Sequence, residues 1–207
     1  MPVYSIDGNI GSGKSTLVNL LKKTCKDIVF IDEPVNIWSK AGLLDKFYRN
    51  QYRWSYTFQN YAYITRLKAL HEAIEKHGKD AIYITERSIE TDRYVFAEIL
   101  YNEQYMTDME WDIYKSWFGF LKIPIDGIIY INTNVDDCVD RIKQRNRKEE
   151  SNIDKIYLEK LDYQHKLWLQ EKENVLTIQG KEDFKNNTTI FNSIFTKIHN
   201  FIKQKNE

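Results

Sequence analysis

The chain has 207 residues, 42% of them hydrophobic, and its 30 Lys and Arg residues balance 30 Asp and Glu residues. This length and composition predict one domain, residues 1–207, with an ordinary hydrophobic core. A net charge of zero disfavours wholesale binding to nucleic acid or to an anionic membrane. We expect a cytoplasmic protein, because neither a targeting segment nor a bilayer-spanning apolar run is visible and two cysteines make no disulfide framework.

Short strands alternate with longer helices along the chain. Runs rich in Val, Ile and Tyr predict strands at residues 3–7, 28–32, 81–85, 127–132 and 175–178. Helical spacing of apolar residues predicts helices at residues 14–23, 53–76, 89–100, 135–145, 155–170 and about 189–203. Such alternation predicts an α/β fold, a five-stranded parallel sheet with helices on both faces.

The first strand leads into a glycine-rich loop. Residues 8–15 fit the phosphate-binding pattern G-x-x-x-x-G-K-[ST] between a strand and a helix. In such a loop the backbone N–H groups bind phosphates, Lys14 can reach the β- and γ-phosphates, and the Ser15 hydroxyl can ligate Mg²⁺. The predicted ATP-binding residues of this loop are Gly8, Asn9, Ile10, Gly11, Ser12, Gly13, Lys14, Ser15 and Thr16.

Charged residues follow the second and third strands, at the edge of a parallel sheet where ligands bind. Glu33 follows the second strand, and Glu86-Arg87-Ser88 follows the third, with Ser88 placed to cap the next helix. Neither an N-K-x-D guanine signature nor a D-x-x-G switch stands in the expected places, which disfavours a GTPase.

Five motifs stand in a fixed order along the chain. They are G-N-I-G-S-G-K-S-T (8–16), D-E-P-V-x-x-W (32–38), R-W-S-Y-T-F-Q-x-Y-A (53–62), E-R-S-x-x-x-D-R-Y-x-F (86–96) and R-x-x-x-R-x-R-x-E-E (141–150). Y-L-E-K-L (157–161) and E-D-F (182–184) follow them. With these motifs nearly the whole chain resembles the deoxynucleoside kinases of the deoxycytidine, deoxyguanosine and insect-type multisubstrate group.

The resemblance implies a P-loop kinase fold with a small arginine-rich lid at about residues 141–154. It implies that Glu33 is the general base for a substrate 5′-hydroxyl, with Glu86 as a second candidate, and that Arg87 contacts the transferring phosphoryl group. The lid arginines that would close over the donor phosphates are Arg141, Arg145 and Arg147. The ATP-binding residues near the end of the chain would be Glu182, Asp183 and Phe184. Ser15 and Glu86 would lie near the Mg²⁺ ion. We expect residues 145–154 to be mobile without ligand, because they are polar.

On the nucleoside side, the resemblance implies that Tyr48 and Glu150 bind the sugar 3′-hydroxyl and that Gln59 pairs with the nucleobase. The aromatic residues that would enclose the base and sugar are Trp38, Phe58 and Phe96. Gln59 and Arg66 lie on one stripe of the long predicted helix, two turns or about 10 Å apart.

The pair Arg66 and Asp92 matches the deoxycytidine and purine deoxynucleoside kinases, whereas thymidine-accepting members carry small or apolar residues at these positions. A paired Arg66–Asp92 would occupy the space of a thymine 5-methyl group. Its carboxylate could accept a hydrogen bond from the amino group of cytosine or adenine. We therefore expect deoxycytidine or a purine deoxynucleoside to be preferred over thymidine.

The expected reaction is transfer of phosphate from ATP to the 5′-hydroxyl of a deoxynucleoside, with Mg²⁺ as cofactor. The family precedent is a homodimer, for which the aromatic-rich segments 53–63 and 105–120 could supply a face. A nucleoside monophosphate kinase such as a thymidylate kinase is the alternative, but it needs extra arginines for an acceptor phosphate. A P-loop binding module without turnover would not need Glu33.

Simpler structural interpretations of the same residues are also open. Glu33 could be a solvated acid at a strand end, and Glu86 and Arg87 could form a surface ion pair. Asp92 could be an acid that favours the helix dipole, and the lid arginines a solvated basic helix end.

Overall fold

A parallel five-stranded sheet lies at the centre of the computed structural model, which describes residues 1–150 and 153–204. Its strands are β1 (Val3–Gly8), β2 (Ile28–Ile31), β3 (Ile82–Glu86), β4 (Gly127–Asn132) and β5 (Val175–Gln179). Their spatial order is β2-β3-β1-β4-β5, and every pair of neighbours is parallel. The predicted α/β fold and its five strands are confirmed, with bounds that shift by a residue at some ends.

The helices flank the sheet on both faces. In chain order they are α1 (Lys14–Thr24), α2 (Val35–Lys40), α3 (Leu43–Arg49), α4 (Gln51–His77), α5 (Ile89–Thr91), α6 (Glu98–Asn102), α7 (Asp108–Leu121), α8 (Val135–Arg145), α9 (Lys155–Gln170) and α10 (Thr188–Lys203). A π-helical turn, Asp92–Ala97, joins α5 to α6, and a 3₁₀ turn, Lys148–Glu150, follows α8.

Strand β1 is buried along its whole length, and its polar residues Ser5 and Asp7 are buried together with its apolar ones. Tyr4 and Ile6 pack against α1 and α10, whereas Val3 packs with Leu70 of α4. Because β1 is the central strand, the loop that follows it lies in the middle of the carboxyl edge of the sheet. No helix in the part of the chain that the structure describes is both long and apolar enough to cross a membrane.

The prediction of a single α-helix at residues 89–100 is wrong in detail. The α-helical hydrogen bonding is interrupted by the π-helical turn Asp92–Ala97, and the helix continues to Asn102. A π turn widens the helix over a stretch of only six residues here, which is too short for periodicity to reveal it. Both Asp92 and Phe96 lie in this turn.

Helices α2, α3 and α7 were not predicted. The first two have six and seven residues and are separated by Gly42 in the left-handed conformation (φ 64°), so neither shows a clear period. Helix α7 begins with a capping box in which the Thr107 hydroxyl accepts from Glu110 N. That signal, T-x-x-E before an apolar run, was available in the sequence.

Candidate active site

The glycine-rich loop after β1 wraps around the Lys14 ammonium. Gly11 and Gly13 have φ values of +79° and +105°, and a Cβ atom at Gly11 would lie 2.6 Å from the Cys138 carbonyl oxygen. Both positions therefore require glycine. Lys14 Nζ donates to the carbonyl oxygens of Gly8 (3.2 Å) and Asn9 (2.7 Å). Burial, together with the nearby Arg87 charge, lowers the pKa of Lys14 to about 7, so a phosphate anion in the loop would favour the charged ammonium.

A cavity of about 970 Å³ extends from this loop along the carboxyl edge of the sheet. Nearly all of the predicted site residues line it: Ile10, Gly11, Gly13, Lys14, Ser15, Thr16, Glu33, Trp38, Tyr48, Phe58, Gln59, Arg66, Glu86, Arg87, Asp92, Phe96, Arg141, Arg145, Arg147, Glu150, Glu182, Asp183 and Phe184. The exceptions are Gly8, Asn9 and Ser12, which are buried in the loop. Asn9 Nδ2 donates instead to the Leu158 carbonyl at 2.8 Å, and so ties the loop to α9.

Glu33 lies between two buried arginines. Its Oε1 accepts from Arg66 Nη2 at 2.5 Å and lies 3.2 Å from Arg87 Nε. Burial by itself would raise the pKa of Glu33, but the charges of Arg66, Arg87 and Lys14 outweigh burial and lower it to about 2. Glu33 is therefore an ionised carboxylate within the cavity. The interpretation of Glu33 as a solvated strand-end acid is wrong.

Glu86 faces the phosphate loop and has the oxygen chemistry of a magnesium site. Its Oε1 accepts from Ser15 Oγ at 2.6 Å. Adjacent ligands of an octahedral Mg²⁺ ion, each about 2.1 Å from the metal, lie about 3 Å apart. The two oxygens could therefore hold Mg²⁺ with little movement, and the ion would neutralise charge on donor phosphates. Burial and the Glu33 charge raise the pKa of Glu86.

Arg87 has an unusual backbone conformation for a residue with a side chain. Its φ is 63°, in the left-handed region, which costs about 1–3 kcal/mol for such a residue. Successive residues of an extended strand point to opposite faces, but this turn allows both Glu86 and Arg87 to line the cavity. Arg87 Nη1 donates to the Gly8 carbonyl at 2.7 Å, and the guanidinium lies 4.8 Å from the Phe96 ring centroid. Both residues are buried, so they do not form a surface ion pair.

The Arg66 guanidinium donates hydrogen bonds to three different residues that line the cavity. Its Nε donates to both carboxylate oxygens of Asp92 (3.1 and 2.9 Å), its Nη1 to the Glu86 carbonyl (2.9 Å) and its Nη2 to Glu33. The expected Arg66–Asp92 pair is thus present and is buried. Burial raises the pKa of Asp92 to about 6, against the opposing charge of Arg66.

The lid arginines bond to acceptors of the protein itself. Arg145 and Arg147 both pair with the buried Glu150 carboxylate, Arg147 Nη1 at 2.6 Å from Oε1. Arg141 donates to the carbonyls of Ser12 (2.9 Å) and Gly180 (2.7 Å), which links the phosphate loop to the segment after β5. The predicted lid, 141–154, includes residues 151 and 152, which lie outside the described residues.

Aromatic rings and one amide line the end of the cavity away from the phosphate loop. Trp38 and Phe58 pack edge to face with centroids 5.5 Å apart. Gln59 is buried beside them, and its Oε1 lacks a hydrogen-bond partner among the residues that the structure describes. An unpaired buried amide oxygen costs free energy that a ligand donor would recover.

Some lining residues were missed by the sequence analysis. Tyr157 lies near Tyr48 and Glu150 on the cavity wall, and it begins the Y-L-E-K-L motif, which was the available signal. Leu44, Phe47, Lys181 and Lys185 also line the cavity. The first two belong to the unpredicted helix α3, and the two lysines flank the E-D-F motif.

Comparison with known proteins identifies the family. A family model described as deoxynucleoside kinase matches residues 4–203. The chain is 40% identical to a probable deoxycytidine kinase of fowlpox virus, over 97% of this chain and 88% of the relative. It is 36% identical to bovine deoxycytidine kinase, over 96% and 90% of the two chains, and 34% identical to a mitochondrial deoxyguanosine kinase of Xenopus laevis, over 96% and 88%. The chain therefore belongs to the deoxynucleoside kinase family and is a nucleoside kinase.

Proposed function

We propose that this enzyme transfers the γ-phosphoryl group of ATP, with Mg²⁺, to the 5′-hydroxyl of a deoxynucleoside. The observation that carries the proposal is that the cavity joins two chemically different ends. One end has the glycine-rich loop, Ser15 and Glu86; the other has aromatic rings and the unpaired Gln59 amide oxygen. Glu33 and Arg87 lie between them, where a hydroxyl and a γ-phosphate would meet. We take residues 1–207 as one kinase domain.

A nucleoside monophosphate kinase is less well supported. It would need a cation near the aromatic end of the cavity that is free to bind an acceptor phosphate, whereas Arg66 is already held by both Glu33 and Asp92. The polar groups near the aromatic rings, Gln59 and Tyr48, suit a neutral nucleoside.

The proposal is tested by incubation of the purified enzyme with γ-labelled ATP and Mg²⁺. The four deoxynucleosides and their 5′-monophosphates are supplied separately. We expect label in deoxynucleoside 5′-monophosphates and loss of transfer when EDTA removes the metal. Label found only in diphosphates formed from monophosphates would overturn the proposal.

We propose that Arg145 and Arg147 act on the donor phosphates during transfer. Both side chains are about one third exposed, so solvent screens their charge, and we expect the loss of either to lower kcat by about 10-fold. The nucleoside KM should change less, because the lost contact is made mainly in the transition state.

Lys148→Ala is the matched control for the lid, since Lys148 is exposed in the same segment and does not line the cavity. Steady-state kinetics with both substrates varied provides the measurement. An Arg147→Ala enzyme with unchanged kcat and a raised nucleoside KM would contradict the proposal. It would indicate that the arginine acts through Glu150 on the sugar.

We also propose a homodimer, formed through α7. Met109, Ile113, Trp117 and Phe120 recur at spacings of four, four and three residues, and their exposed fractions are 70%, 39%, 52% and 80%. They form one apolar stripe that no other part of the described chain covers. In the other expected segment, 53–63, every aromatic side chain is buried or half-buried.

The dimer is tested by light scattering after size-exclusion chromatography. We expect a dimer for the wild type and a monomer for Trp117→Asp/Phe120→Asp. Tyr163→Asp, which changes an exposed aromatic residue of α9, should remain a dimer. A monomeric wild type, or a double variant that still dimerises, would exclude this face.

We further propose a cytoplasmic location, because Cys25 and Cys138 are both free thiols.

A further inference from the structure

Asp7 is a buried carboxylate without a role in the steps proposed above. It lies in β1, its side chain is fully buried, and it does not line the cavity. Its Oδ2 accepts from Ser5 Oγ at 2.5 Å, and its Oδ1 accepts from Thr91 Oγ1. Burial of a carboxylate is unfavourable unless it is hydrogen-bonded, and the two hydroxyl groups supply those bonds.

The hydrogen bonds around Thr91 have a fixed direction. A hydroxyl has one hydrogen, and that of Thr91 points to Asp7. Thr91 Oγ1 must therefore accept from Ser88 N (3.3 Å) and from Ser88 Oγ (3.2 Å). Ser88 Oγ in turn accepts from Thr91 N at 3.2 Å. Asp7 thus orients both hydroxyls of the cap that begins α5.

This cap immediately follows Arg87. The strained Arg87 backbone is held at its amide, which donates to the Ile6 carbonyl at 3.0 Å, and its guanidinium donates to the Gly8 carbonyl. Ile6 and Gly8 are the chain neighbours of Asp7. Three consecutive residues of β1 therefore hold the segment around Arg87, two by their carbonyls and Asp7 through the cap.

We propose that Asp7 is a positioning residue for phosphoryl transfer. Through Thr91 and Ser88 it holds Arg87 in the left-handed conformation that directs the guanidinium into the cavity. This inference rests on the proposed contact between Arg87 and the transferring phosphoryl group. Asp7 itself touches neither substrate.

The most direct test removes the connection without a change of shape. Thr91→Val keeps the volume of the side chain but lacks the hydroxyl that joins Asp7 to the cap. We expect its kcat to fall by about 10- to 100-fold, since small misplacements of a reacting group have effects of this size. The KM values for ATP and nucleoside should change by less than about 2-fold. Thr91→Ser, which restores the hydroxyl, should return kcat to within about 2-fold of the wild type.

Ser5→Ala is the matched control, because it removes the other hydrogen bond to Asp7 but not the one that leads to Arg87. Its kcat, referred to folded protein, should stay within about 2-fold of the wild type. Asp7→Ala, which removes both acceptor oxygens, should behave as Thr91→Val does. If Asp7→Ala does not fold, the Thr91 variants still decide the matter. A Thr91→Val enzyme with wild-type kcat would overturn the inference. A Thr91→Ser enzyme whose kcat is as low as that of Thr91→Val would also overturn it.

A double-mutant cycle with Arg87→Gln separates this inference from the proposed role of Arg87. If Asp7 acts through Arg87, Thr91→Val should cause no further loss of kcat in the Arg87→Gln enzyme. Losses that multiply would overturn the inference. If Arg87→Gln alone keeps wild-type kcat, both proposals fail. If it loses kcat but Thr91→Val does not, only the role of Asp7 fails.

Discussion

Replacement of Glu33 by Gln should preserve nucleoside binding and lower kcat by about 10²–10⁴-fold, the usual effect of losing a general base. Arg66 and Arg87 hold the Glu33 carboxylate in place within the cavity. Its pKa of about 2 means that it is ionised, and so able to accept a proton, from about pH 4 upward. The same low pKa makes it a weak base, which suits a transition state that depends mainly on positioning and charge.

The measurement is kcat, with nucleoside affinity determined separately by titration calorimetry. Glu72→Gln is the matched control: it makes the same chemical change at an exposed acid of α4 that pairs with Lys68 and does not line the cavity. Turnover of Glu33→Gln within a few-fold of the wild type would contradict the assignment. Glu86, whose pKa is raised, would then become the candidate base.

The four natural deoxynucleosides should differ in kcat/KM, with thymidine about 5- to 150-fold below the best substrate. Asp92 is held by Arg66, whose guanidinium is fixed by three acceptors and cannot easily turn away. A carboxylate that faces the thymine oxygen places an acceptor against an acceptor, which costs about 1–3 kcal/mol in a buried site. Kinetics with each deoxynucleoside decide the matter, and thymidine as the best substrate would refute the proposal.

The double variant Arg66→Met/Asp92→Ala should shift the preference toward thymidine. The single change Arg66→Met is a poor test, because it leaves Asp92 and Glu33 buried without this partner and should destabilise the fold by about 3–5 kcal/mol. Because Arg66 also contacts Glu33, the double variant should lose kcat with every nucleoside. The ratio of kcat/KM for thymidine to that for deoxycytidine is therefore the informative quantity.

Arg93→Met/Glu98→Ala is the matched control for that double variant. It removes an ion pair of the same helical region, Arg93 Nη1 to Glu98 Oε2 at 2.5 Å, that does not line the cavity. Its order of preference should equal that of the wild type. An unchanged order of nucleoside preference in Arg66→Met/Asp92→Ala would indicate that Asp92 has a purely structural role.

The amino-acid sequence by itself determined the parallel sheet and the glycine-rich loop. Both depend on local patterns: apolar runs for strands buried on two faces, and a glycine spacing between a strand and a helix. The stripe of Gln59, Ala62 and Arg66 on α4 follows from helical periodicity in the same way, and all three side chains line the cavity. The ordered motifs supplied the family, which the comparisons confirm.

Only the tertiary structure decided which charged side chains pair with one another. Arg66 joins Glu33 to Asp92, residues 33 and 26 positions away in sequence, and Glu150 pairs with two arginines. The left-handed Arg87 and the π-helical turn beside it are likewise absent from any local pattern. Buried charges take whichever partners the packed elements bring within hydrogen-bond distance, because an unpaired one is too costly to keep. Sequence therefore names the residues of such a network, and only the packing of strands and helices assigns its pairs.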